Sequence, residues 1–173
     1  MNNRTIYRAA RAVEAAGLAT LRFNFRGVES SAGAYDEGRG EQEDVHAAAD
    51  WLRNRFPGRP LALVGFSFGA WVGLQVACRN AGIGAMVGLG LPLAHYDFDF
   101  LCGNSKPALL LLGSRDEFSP PPDLTKFAAR LPRNSRLKIL EGAGHLLTER
   151  MNQVESSITV FLRAWVAEEC SQC

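Results

Sequence analysis

Three short, unbroken apolar runs constrain this chain more than any other feature. They cover residues 61–66, 85–91 and 107–113, the last reading Pro107-Ala108-Leu109-Leu110-Leu111-Leu112-Gly113. Runs of this length without polar alternation suit strands that are covered on both faces. Two further segments have β character: residues 18–25, where apolar and polar residues alternate, and residues 136–142. Between them the apolar period changes to that of a helix. Ile6, Ala9, Ala10 and Val13 share one face over residues 4–16, before a stop at Gly17. Val45, Ala48, Ala49, Leu52 and Phe56 do so over 41–56, with Glu41, Glu43 and Asp44 near the helix start. Further helices are predicted over about 68–80, 123–131 and 150–167. Strands alternating with helices predict an open, mainly parallel sheet of about five strands with helices on both faces.

The length, 173 residues, fits a single domain spanning 1–173 with one core, and residues 170–173 read as a flexible tail. Nineteen basic and eighteen acidic residues leave a formal net charge of +1, which gives no general attraction to nucleic acid or to an anionic membrane. No apolar run approaches the roughly 18 residues of a membrane-spanning helix, and the polar start is unlike a signal peptide, so a cytoplasmic location is expected. The four cysteines, Cys78, Cys102, Cys170 and Cys173, are too few for a disulfide scaffold in a chain of this length. The last two form a C-x-x-C on the tail rather than at a helix start beside a sheet. No zinc spacing links His46, His95 and His145, and neither a metal nor a cofactor is expected.

The chemistry concentrates at Gly65-Phe66-Ser67-Phe68-Gly69, a G-x-S-x-G pattern placed where a strand hands over to a helix. A sharp turn there lifts a serine hydroxyl above the sheet. Side chains two residues before and after the serine are expected to collide with neighbouring backbone, which calls for glycine at both positions. The N–H of Phe68, at the helix start, can stabilise an oxyanion. A serine hydroxyl needs a base. His46 lies inside an acidic helix and His95 in the loop after 85–91, whereas His145 follows the last strand in a glycine-rich loop. Reactive groups of an open parallel sheet collect beyond the carboxyl ends of its strands. Asp116, just past 107–113, is the expected partner of His145, against the rivals Glu117, Asp97 and Asp99.

With its order Ser67, Asp116, His145, the chain resembles the α/β-hydrolases over nearly its whole length. The stretch from Phe23 to Gly33 is similar to a loop of small, lidless members related to dienelactone hydrolase, which usually reads R-G-x-G-x-S-x-G; here Glu29 stands where glycine is common. The resemblance implies a serine hydrolase that cleaves a carboxyl ester or related acyl bond of a small molecule through an acyl-enzyme. Full-length members begin with further strands. One of them lies between the strands matching 18–25 and 61–66, and the loop after it supplies a second oxyanion donor. No counterpart is legible here, so the resemblance implies a fragment, or a sheet whose remaining strands pair directly. The alternative function is a catalytically impaired homologue acting as an interaction module. Phe66, Phe68, Phe98, Phe100 and Phe118 are candidates to line an apolar acyl pocket. A nucleotide-binding sheet is disfavoured, because no G-x-G-x-x-G follows 61–66 and no acidic residue ends 85–91.

Overall fold

In a computed structural model describing residues 3–171, helix α1 (Arg4–Ala15) opens the fold. It is followed by α2 (Arg39–Arg55), β1 (Ala62–Phe66), α3 (Phe68–Arg79), β2 (Ala85–Leu89), β3 (Ala108–Gly113), α4 (Pro121–Arg130), β4 (Ser135–Leu140) and α5 (Met151–Ser171). Asn3 caps α1 by accepting the Ile6 N–H at 3.1 Å, and Pro121 enters α4 at the first turn, where its missing N–H costs nothing.

The four strands lie in sequence order and every neighbouring pair is parallel. The helices divide between the two faces. Ala9 and Val13 of α1 and Val154, Ile158 and Leu162 of α5 bury one side of β2 and β3. Val45 and Ala49 of α2, Val72, Leu74 and Val76 of α3 and Phe127 of α4 bury the other. No helix among the described residues is long and apolar enough to cross a membrane.

Two sequence expectations need correction. Residues 18–25 form no strand, so the sheet has four strands rather than about five. A strand exists only through its neighbour, and here no edge is within reach. Two cavities of about 440 and 350 Å³ separate this segment from β1, and Leu21 and Arg22 on one bank and Ala62 and Val64 on the other line both. Residues 18–25 and β1 therefore do not pair directly. For the same reason β1 is only half-buried at four of its five positions, whereas β2 and β3 are buried throughout. At the other end, Cys170 and Ser171 are not a tail but the last residues of α5, and Ser171 Oγ donates to the Ala167 carbonyl at 2.8 Å. Extending a formed helix by a residue is far easier than starting one. Cys170 is exposed, and Cys173 lies outside the described residues.

The backbone of the loop after residue 25 suits the glycine that is common at the position of Glu29 in the hydrolases this chain resembles. Glu29 sits at φ +51°, in the left-handed region, and its carboxylate accepts from Asn24 Nδ2 at 2.9 Å. A side chain in that region costs about 1–2 kcal/mol.

Candidate active site

Three strand ends deliver the chemistry. Beyond β1, the turn into α3 holds Ser67 at φ +53°, ψ −125°, a backbone conformation that L-residues rarely adopt. The Ser67 N–H donates to the Leu89 carbonyl at 3.0 Å, tying the turn to the end of β2. Gly65 is required by close approach: a Cβ there would stand 2.6 Å from Ala70 Cα and from the Gly69 carbonyl oxygen. The matching expectation for Gly69 does not hold. A Cβ at Gly69 meets only Phe25 Cε2, at 3.6 Å, because this side of the turn faces one of the two cavities. The Phe68 N–H is the first of α3 and has no carbonyl one turn back within the helix, so it remains a donor at the positive end of the helix dipole.

Asp116 and His145 come from the loops after β3 and β4. His145 Nε2 lies 2.9 Å from Ser67 Oγ, and His145 Nδ1 lies 3.0 Å from both carboxylate oxygens of Asp116. The Asp116 side chain is 0% exposed, and Oδ1 also accepts the Phe118 N–H at 2.9 Å. The imidazole packs edge-on against Phe118, centroids 4.6 Å apart, and tilted against Phe66 at 5.1 Å. An oriented carboxylate, an imidazole and a hydroxyl in line can move a proton off Ser67 while the imidazolium is held by the acid.

The rival residues stand elsewhere. Glu117 is exposed, Asp99 pairs with Arg130, and the Asp97 carboxylate accepts the Asp99 N–H at 2.7 Å. His46 is exposed on α2, its Nδ1 3.3 Å from Asn80 Nδ2, and His95 touches the Phe118 ring from the solvent side. Of the five phenylalanines expected around an acyl pocket, Phe66 and Phe118 flank His145. Phe68 joins Phe25, Tyr35, Trp71 and Tyr96 in an aromatic cluster. Phe98 and Phe100 belong to the core, their rings tilted against each other, with Phe98 edge-on to Phe127. Their spacing in sequence carries no sign of this, since apolar rings serve a core and a pocket equally well.

Sequence reading missed the residues that brace the loop between residues 26 and 38. Glu41 and Asp44 were expected to complement the dipole of α2. Glu41, 1% exposed, does lie in the first turn of α2, where it accepts the N–H groups of Asp36 and Gly38 at 2.9 and 2.8 Å, whereas Asp44 lies beyond that turn and accepts the backbone N–H and the guanidinium of Arg26. Partial burial pushes the Asp44 carboxyl up, but the side-chain and backbone bonds from Arg26 outweigh it and hold the group below its ordinary value. Asp44 in turn holds the Arg26 guanidinium above its own ordinary value. The clamp carries Tyr35 to within 5.7 Å of the Phe68 ring, beside the serine turn.

Comparison with known proteins places the fold among its relatives. Residues 1–166 match the family described as "Alpha/beta hydrolase domain". An uncharacterized protein of Rickettsia prowazekii is 33% identical over 171 residues, covering 94% of this chain and 72% of that protein. An α/β serine hydrolase homologue from Coxiella burnetii superposes with a TM-score of 0.85 at 31% identity, over 92% of this chain and 76% of that one. A serine hydrolase without a lid from Xanthomonas campestris gives 0.85 at 31%, over 95% and 75%. With a matching profile over most of its length and these relatives at about a third identity, the chain belongs to the alpha/beta hydrolase family.

Proposed function

We propose that the protein is a serine esterase that hydrolyses carboxyl esters of small acyl substrates through an acyl-enzyme. The observation that carries this is the continuous path from Asp116 through His145 to Ser67, with hydrogen-bond distances of 3.0 and 2.9 Å. In the first half-reaction His145 Nε2 takes the Ser67 proton as Oγ attacks the ester carbonyl. The Phe68 N–H stabilises the oxyanion, and the imidazolium protonates the departing alcohol. In the second, His145 activates water against the acyl-serine and returns the proton to Ser67. The serine hydrolase homologue from Coxiella burnetii supports the reaction class.

One observation favours a second reading, an interaction module without turnover: the outer edge of β1 has no strand partner among the described residues. A single experiment separates the two. The protein is offered a short-chain nitrophenyl ester and, separately, a fluorophosphonate probe whose attachment site is mapped by mass spectrometry. The esterase reading expects steady turnover and a label on Ser67. No turnover, together with no preference of the probe for Ser67 over other serines, would overturn it.

A further inference from the structure

The histidine loop is held from an unexpected direction. Thr5, in the first turn of α1, is 1% exposed, and its hydroxyl donates to the Leu146 carbonyl at 2.6 Å, across 141 positions of sequence. That carbonyl belongs to the peptide joining Leu146 to Leu147. The N–H of the same peptide donates to the Gly144 carbonyl at 3.0 Å, so both of its polar atoms are engaged. The peptide leads into Leu147, a buried non-glycine residue at φ +58°. Such a conformation persists only where its surroundings fix it.

On the upstream side, His145 is held by the loop after β3. Ser114 Oγ accepts the Gly142 N–H at 2.9 Å and the Arg115 N–H donates to the Ala143 carbonyl at 2.9 Å. Downstream, Glu149 Oε2 accepts the Gly144 N–H at the longer distance of 3.3 Å, and the Thr5 hydroxyl holds the carbonyl that follows the imidazole. Helix α1 is a firm anchor, because Arg8 pairs with Glu155, Thr159 Oγ1 donates to the Ala12 carbonyl at 3.0 Å and Arg163 to the Ala15 carbonyl at 2.6 Å.

We infer that Thr5 is a positioning residue for His145: its hydroxyl sets the Leu146–Leu147 peptide and thereby the direction of the imidazole toward Ser67. This rests on the esterase reading for its kinetic consequence but not for its geometric one. The test compares the wild type with Thr5→Val, which keeps shape and loses the donor, with Thr5→Ala as a second donor-free variant, and with Thr5→Ser, which restores the donor. Two readouts are taken well below each variant's melting temperature: kcat and KM on a short-chain nitrophenyl ester, and the low-field proton resonance of the His145 Nδ1–H bound to Asp116.

Thr5→Val and Thr5→Ala are expected to lower kcat about tenfold with KM unchanged and to broaden the Nδ1–H resonance, since small misplacements of a reacting group are costly. Thr5→Ser is expected to return both to within about threefold of the wild type. Wild-type kcat and resonance in both donor-free variants would overturn the inference. So would equal impairment of Thr5→Ser and Thr5→Val, which would mark a packing role. A resonance that Thr5→Val broadens and Thr5→Ser restores, in a protein that hydrolyses no ester, would uphold the inference and sink the esterase reading alone.

Discussion

Ser67→Ala is expected to lower kcat on a short-chain ester by about 10⁴- to 10⁶-fold, and Asp116→Asn by about 10⁴-fold. The first removes the hydroxyl proposed to form the acyl-enzyme. The second removes no contact by size, and its effect comes from orientation. In the wild type both Asp116 oxygens accept, one of them from the Phe118 N–H as well as from His145 Nδ1. An asparagine keeps one acceptor and presents an NH₂ to the other partner. If the amide oxygen stays with Phe118, the NH₂ faces Nδ1 and selects the tautomer that carries its proton on Nε2. That tautomer cannot receive the Ser67 proton. The double variant is expected to be no slower than Ser67→Ala, because the three residues act as one unit. Parallel kcat measurements, with near-unchanged circular dichroism, check the series. An Asp116→Asn enzyme within tenfold of wild type would remove Asp116 from the proposed mechanism.

Gly113→Ala is expected to cost about 3 kcal/mol, at the upper end of what an added methyl does to packed structure, and to lower kcat about 10²-fold. A Cβ at Gly113 would stand 2.1 Å from the Ala143 carbonyl oxygen and 2.7 Å from the Gly144 carbonyl oxygen. Both are backbone atoms of the loop that carries His145. That loop has no free direction in which to retreat, since the Ala143 carbonyl already accepts the Arg115 N–H and the Gly142 N–H is bound to Ser114. Relief of the clash moves His145 away from Ser67, so stability and turnover fall together. Thermal unfolding should shift down by about 6–12 °C. Gly103→Ala, where an added Cβ meets nothing within 4 Å, serves as the control and should leave both within experimental error. A Gly113→Ala protein with wild-type melting and kcat would show that the loop is more pliant than its bonding implies.

Local patterns in the sequence carried the parallel sheet and the order of its elements. The continuous apolar runs gave β1, β2 and β3 to within two residues, because strands buried on both faces tolerate little else. That Ser67, Asp116 and His145 would come together was equally legible, since each follows a strand and the carboxyl ends of parallel strands meet at one edge.

Properties that depend on what stands opposite a residue were not legible. Alternation over 18–25 describes a segment able to be a strand, but only the fold decides that no partner edge lies beside it. Glu41 and Asp44 look like ordinary acidic residues of a helix start, and only the folded loop turns them into acceptors for Gly38 and Arg26. Thr5 and Gly113 carry no motif at all. One lies 141 positions from the carbonyl it fixes, and the other leaves room for a loop some thirty residues later. Sequence alone thus determined the five helices, the four strands that pair and the edge at which Ser67, Asp116 and His145 meet, because these follow from local period and chain direction. The tertiary structure decided which strand lacks a neighbour and which side chains hold the histidine loop, because those are contacts between distant segments that no local pattern encodes.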